Sequence, residues 1–265
     1  MPTTATTTTT STIAVNGTTL RLQRRGSGAP LLMIHGGAED AAMLAPQAES
    51  LAAACYEVVT YDRRGTGRSG RDSWPGGGAD QHADDAAAVL SALEWTDATI
   101  VGVSSGGVIA LDLLGRHPDK VGHVVAWEPP AAGIVPGGAE ITASIMAPVD
   151  AYLTEHPGDF VGAQALLLSE IIGFPVSVDD PAFAAARANA EPFIRDEPDI
   201  TTASLDQETF VGADVTIGVG SAPNELIAAA VDMLAHWTGR PPVHVDAEHE
   251  VYLSDPAVLT RMVAR

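Results

Sequence analysis

The sequence predicts an α/β fold: a mostly parallel sheet with helices on both faces and an inserted helical cap. Three observations predict it. Short apolar, β-branched runs of buried-strand type recur at residues 31–34, 57–61, 99–103, 123–128, 215–219 and 243–245. Helically patterned stretches lie between them, the alternation that builds a parallel sheet covered on both faces. One segment, from Pro129 to about Leu205, breaks that alternation and holds no convincing strand.

Taken in order, residues 1–11 are a low-complexity, threonine-rich tail expected to be disordered. Residues 13–15, then Asn16-Gly17, then 18–23 read as a β-hairpin, because Asn-Gly suits a two-residue turn. Helices are expected over residues 43–54, 80–93, 108–115 and 225–237. The core is assigned to residues 12–128 and 206–265, and the cap to 129–205. Within the cap, helical pieces at 141–153, 163–172 and 181–190 are separated by Pro148, Pro157, Pro175, Pro181, Pro192 and Pro198. Large apolar residues punctuate it: Met146, Tyr152, Phe160, Phe174, Phe183 and Phe193. Ligands of open α/β sheets bind at the carboxyl ends of the strands, so the insert is expected to wall a pocket there.

Composition narrows the function classes. The 265 residues suit one large α/β domain, and 46% hydrophobic residues can bury a sizeable core. A net charge of −20 opposes nucleic acid, anionic membrane surfaces and highly anionic substrates. No run approaches the ~18 apolar residues of a membrane span. The amino terminus shows neither a basic start nor an apolar segment, so no secretory signal is visible. The single cysteine, Cys55, excludes an internal disulfide and suits a reducing, cytoplasmic compartment.

The chemistry concentrates in Gly102-Val103-Ser104-Ser105-Gly106, a G-x-S-x-G run between a strand and a helix. A strand running straight into a helix forces a sharp turn whose apex side chain stands clear, here that of Ser104. A serine hydroxyl needs a base within hydrogen-bond reach. His249, in a loop after the last strand, can be carried over Ser104; His236 on a helix and His244 in a strand are less suited. His35 is expected to hold a His-Gly turn. An imidazole base needs a carboxylate to fix its tautomer. The loop after residues 215–219 reads Gly220-Ser221-Ala222-Pro223-Asn224-Glu225 and has no aspartate. Glu128 directly follows a buried strand, where an unpaired carboxylate would be costly, and is the expected acid. Asp246, Glu225 or a missing acid are the alternatives. Two backbone N–H groups are needed for an oxyanion: one from Ser105, the other from Gly36 or Gly37.

Two competing signals are weaker. Gly65-Thr66-Gly67-Arg68-Ser69-Gly70 fits G-x-G-x-x-G, but the loop Arg71 to Gly78 follows where a dinucleotide site needs a helix. His244, Asp246 and Glu248, with His249, alternate along a strand and read more simply as an exposed face than as metal ligands.

His35-Gly36, the loop from Asp62 to Ser69, the elbow and the late His249 together resemble the α/β-hydrolase superfamily over most of residues 13–265. Within it, the Ser-Ser-Gly elbow, Glu128-Pro129 after the next strand and the ending His249-x-x-Tyr252-x-Ser254-x-Pro256 are most similar to zearalenone lactone hydrolases. That resemblance implies an α/β-hydrolase fold, a Ser104–His249–Glu128 triad and hydrolysis of a small, apolar, uncharged ester or lactone. It implies no cofactor and no metal, and a homodimer is compatible with it. A general carboxylesterase, a C–C bond hydrolase and a non-catalytic ligand receptor are the other readings. Glu248 and Glu250 flank His249, and their charge is expected to favour the imidazolium.

Overall fold

A computed structural model describes residues 7–172, 175–177, 179 and 184–264. Its strands are β1 (Thr9–Val15), β2 (Thr18–Gly26), β3 (Ala29–Ile34), β4 (Tyr56–Tyr61), β5 (Ala98–Val103), β6 (Val121–Trp127), β7 (Val215–Val219) and β8 (Val243–His244). They form one eight-stranded sheet in the order β1-β2-β4-β3-β5-β6-β7-β8. β2 pairs antiparallel with β1 and β4, and every later pairing is parallel.

Strand side chains alternate between faces, and both faces are covered. Leu31, Met33, Val58, Val101, Val103, Val125 and Trp127 pack on one side. There they meet α1 (Ala45–Ala53), α9 (Val251–Ser254) and α10 (Ala257–Val263). Leu32, Ile34, Val59, Ile100, Val124 and Ile217 pack on the other. Their partners are α2 (Gly78–Ala92), α3 (Ser105–Arg116) and α8 (Glu225–Thr238). The intervening α4 (Gly138–Glu155), α5 (Phe160–Ile172) and α6 (Ala190–Thr201) make the inserted layer, and α7 (Gln207–Phe210) leads back to the sheet.

Three sequence expectations need correction. The threonine-rich tail is ordered from Thr9, which pairs with Arg24 as the edge strand β1 continues to Val15. Threonine is β-branched and fits a solvent-facing edge strand; residues 1–6 lie outside the described residues. Of the helix expected over 181–190, the described residues 184–190 hold a short 3₁₀ segment, Ala186–Asn189, before α6 begins at Ala190; residues 181–183 lie outside the described residues, as does Phe174. The helix that follows, α6, was hidden by its prolines. Pro192 falls in its first turn, where no N–H is needed, while Pro148 and Pro198 lie inside α4 and α6. The Asn-Gly hairpin does form, with Asn16 and Gly17 at φ +44° and +77°.

One buried ion pair fixes the loop after β4. The fully buried Arg64 donates to both oxygens of Asp85 at 2.8 Å and to the carbonyls of Asn16 and Asp72. The hairpin, the loop and α2 therefore share one guanidinium. Removing one partner of a buried pair strands the other charge, at about 3–5 kcal/mol. Asp85→Asn is expected to destabilise the chain by about that amount, read as a fall in the denaturant midpoint.

Candidate active site

β5 ends at Val103 and α3 begins at Ser105, so Ser104 alone makes the turn. Its φ of +51° and ψ of −126° lie where a non-glycine residue costs about 1–3 kcal/mol. Packing holds the strain. A Cβ on Gly102 would meet Gly106 O at 2.2 Å, and one on Gly106 would meet Ile34 O at 2.3 Å. The Ser104 N–H donates to Trp127 O at 2.9 Å, which sets the elbow beside the end of β6. Among the described residues the Ser104 hydroxyl has no hydrogen-bond partner.

The next two residues of β6's chain hold the histidine. Trp127 Nε1 donates to His249 O at 2.7 Å, and Glu128 Oε2 lies 2.5 Å from His249 Nδ1. The other carboxylate oxygen, Oε1, accepts the Gly220 N–H at 2.7 Å. Glu128 is buried, and its backbone is held at φ +41°, again outside the ordinary range. Its other partner, Gly220, follows β7 directly. A Cβ on Gly220 would lie 2.4 Å from Ala247 O and 3.0 Å from Glu128 Oε1. A side chain at the position after β7 would run first into the Ala247 carbonyl and next into the Glu128 carboxylate. Glu225 sits exposed in the first turn of α8, and Asp246 is exposed and bonded to Ser221 Oγ. His236 and His244 are also exposed.

With Nδ1–H bonded to Glu128, His249 presents a lone pair at Nε2, a tautomer inferred from that bond. Burial opposes the imidazolium. The Glu128 hydrogen bond and charge, with Glu250 and Glu39, outweigh it and raise the His249 pKa. Of the two flanking glutamates, Glu250 is among the main causes of that rise and Glu248 is not.

The loop after β3 supplies the oxyanion candidates, and the geometry corrects one of them. The Gly36 N–H is already committed to Glu39 Oε2 at 2.8 Å, so Gly36 is not a free donor. Gly36 O sits 2.8 Å from His35 Nδ1 and accepts from Arg63 Nη2 at 3.1 Å. A peptide's C=O and N–H point in opposite directions within one plane, so this clamp on Gly36 O also fixes where Gly37 N–H points. The Gly37 N–H has no acceptor among the described residues. The Ser105 N–H opens α3 and has no partner within the helix. His35 is buried; burial and then Arg63 hold its pKa well below the ordinary value. A neutral ring accepting the Arg63 N–H at Nε2 is a turn-holding residue.

Helix α6 lies directly on this loop. A Cβ on Gly37 would meet the Phe193 ring at 2.7 Å and the Glu197 carboxylate at 2.9 Å. Polar contacts dock α6 to the core: Arg63 to Glu197 at 2.9 Å, Trp74 and His82 to Asp196, and the Gly67 N–H to Asn189. Around Phe193, an apolar cluster gathers Ala38 with Val149, Ala163, Leu167 and Ile194 of the cap. Glu39, Tyr252, Trp127 and Glu197 are site residues that sequence reasoning missed. Glu39 carried a signal, as one of two adjacent carboxylates, with Asp40, just after His35-Gly36-Gly37.

Comparison with known proteins agrees with this architecture. Residues 29–142 match the family model described as the alpha/beta hydrolase fold. The chain is 42% identical over 119 residues to the uncharacterised hydrolase YraK of Bacillus subtilis, covering 44% of each protein. It is 41% identical over 96 residues to RutD of Azorhizobium caulinodans, named for carbamate hydrolysis, covering 36% of each. The matched part therefore spans less than half the length of these relatives. The enol-lactonase of Burkholderia xenovorans LB400 superposes with a TM-score of 0.66 at 24% identity, over 96% of this chain and 98% of its own.

The charges around His249 give a test by titration. Glu250→Gln is expected to lower the pH at which the His249 imidazole titrates, because it removes a charge favouring the protonated ring. Glu248→Gln is expected to leave it in place. NMR titration of the ring carbons in both variants checks this.

Proposed function

The chain has the α/β-hydrolase fold, and on that scaffold we propose that it is a serine hydrolase of carboxylic esters, acting on a small, uncharged, apolar lactone. The observation that carries the reading is the 2.5 Å contact between His249 Nδ1 and buried Glu128, held beside the strained turn at Ser104. Such a pair has a defined chemical use. The Nε2 lone pair takes the Ser104 proton as Oγ attacks the ester carbonyl. Glu128 stabilises the imidazolium that results. The Ser105 and Gly37 N–H groups receive the carbonyl oxygen as it becomes an oxyanion. The imidazolium then protonates the leaving alkoxide, which in a lactone stays tethered to the acyl group. Water, deprotonated at Nε2, releases the hydroxy acid and restores the serine.

The apolar residues beside the site support this substrate class. Phe193 stands against the oxyanion loop, and the cap residues behind it are apolar. A net charge of −20 disfavours anionic substrates. The elbow, the acid after β6 and the ending around His249 resemble the zearalenone lactone hydrolases, which makes zearalenone the first macrolactone to try. Similarity to RutD supports a second reading, an acyclic carbamate or ester handled by the same three residues.

Turnover of zearalenone, simple lactones, a carbamate and p-nitrophenyl butyrate separates these substrates. Ser104→Ala is expected to lose at least about 10³-fold in kcat and all labelling by a fluorophosphonate. Glu128→Gln is expected to lose about 10²–10⁴-fold in kcat with labelling slowed. Full turnover in Ser104→Ala refutes the mechanism, and full turnover in Glu128→Gln moves the acid elsewhere.

A further inference from the structure

Glu39 is a buried carboxylate that the chemistry above leaves without a role. It is 5% exposed. Oε2 accepts the Gly36 N–H and Oε1 accepts the Tyr252 hydroxyl, each at 2.8 Å. Both donors are neutral. The charged groups that face it are Arg63, whose Nη2 is spent on Gly36 O and Glu197, and His249. Burying an anion without a dedicated ion pair costs several kcal/mol. A neutral side chain of similar size would avoid that cost, so what the carboxylate touches is informative.

It touches two loops that hydrolysis must hold in register. Gly36 precedes the Gly37 N–H, and a Cβ on Gly36 would lie 3.1 Å from Ser104 Cβ and 3.3 Å from Glu39 Oε2. Tyr252 lies three residues beyond His249, and Gln47 of α1 holds its backbone carbonyl. A carboxylate is the one side-chain group of this size that accepts from both donors at once. Glutamine would present an NH₂ to one of them.

Resting on the serine-hydrolase reading, we propose that Glu39 and Tyr252 are positioning residues, a strut that sets the Gly37 N–H and the His249 ring at a fixed spacing across Ser104. The strut has an electrostatic side as well. The groups whose charge favours the His249 imidazolium are Glu128 from β6, Glu250 from its own loop, and Glu39 from the β3 loop. Glu39 alone among them also bonds the oxyanion loop, so geometry and base strength are coupled through one residue.

The test uses Glu39→Gln, Tyr252→Phe and the double variant of the full chain. Three quantities are read: kcat and KM on p-nitrophenyl butyrate, the His249 titration by NMR, and the melting temperature. Glu39→Gln is expected to lower kcat about tenfold or more, with KM within about twofold, and to move the His249 titration down by at least about 0.3 unit. Tyr252→Phe is expected to lower kcat by a smaller factor. The double variant should be no worse than Glu39→Gln, since one strut is broken once. A lower melting temperature with kcat and the His249 titration unchanged makes Glu39 a structural brace and overturns the proposal. So does additive loss in the double variant. Should Glu39→Gln fail to fold, Tyr252→Phe with wild-type kcat overturns it alone. The NMR titration needs no turnover, so a failed serine mechanism, seen as an active Ser104→Ala, is distinguished from a failed strut.

Discussion

Glu128 is the anchor on which the rest of the site depends. Its carboxylate is buried, and an ionised carboxylate in such a place is tolerated only when its lone pairs are met. One oxygen is met by the Gly220 N–H and the other by His249 Nδ1. Each partner then constrains a separate part of the chain. Gly220 must remain without a side chain, because a Cβ there would meet Ala247 O and the Glu128 carboxylate. His249 is held at its ring by Glu128 and at its carbonyl by Trp127, two consecutive residues of one strand end. The same Trp127 receives the Ser104 N–H through its own carbonyl. Serine, acid and histidine are thus referred to a single point on the sheet, the end of β6, where the backbone is paired on both sides.

Much of this was legible in the sequence, and the reasons differ by element. The parallel strands were readable because burial on both faces makes each a continuous apolar run. Ser104 was readable because glycines at 102 and 106 are demanded by the backbones they touch. The pairing of buried Glu128 was readable from an energetic argument, that a carboxylate stranded after a buried strand needs a partner. What failed was local. Thr9 to Ser11 looked like a low-complexity tail because composition carries no information about an edge strand's pairing partner. Helix α6 was obscured by Pro192 and Pro198, since a proline's tolerance depends on where in the helix it falls. Gly36 and Gly37 could not be separated from sequence, because the choice depends on a side chain, Glu39, reaching back three residues to occupy one of the two N–H groups.

The cap shows why a site can be read more easily than its substrate. Part of its docking to the core is polar: Asp196, Glu197 and Asn189 of the insert meet Trp74, His82, Arg63 and a backbone N–H of the core, while Ile200 packs into the main apolar cluster beside α2 and α3. Toward Gly37 it presents both the Phe193 ring, with the apolar cluster behind it, and the Glu197 carboxylate. Polar docking specifies orientation because each bond has a direction. Apolar walls specify only shape and the absence of charge. Sequence motifs mark the first kind of constraint, while the second is met by many residue combinations.

The carboxylates around His249 impose a compromise. Each negative charge favours the imidazolium, and on the proposed mechanism so strengthens the base. Each also makes the resting ring easier to protonate, and a protonated ring cannot take the proton at all. The optimum for a general base lies near the working pH. Burial of His249 pushes its pKa down while Glu128, Glu250 and Glu39 push it up. Burial thus offsets part of the rise that these acids cause. The acidic surface of the chain does not by itself disturb the balance, because exposed charges beyond about 10 Å are screened. What matters is the small set within the site: one carboxylate that holds the ring, one that ties it to the oxyanion loop, and one at the rim that solvent partly screens.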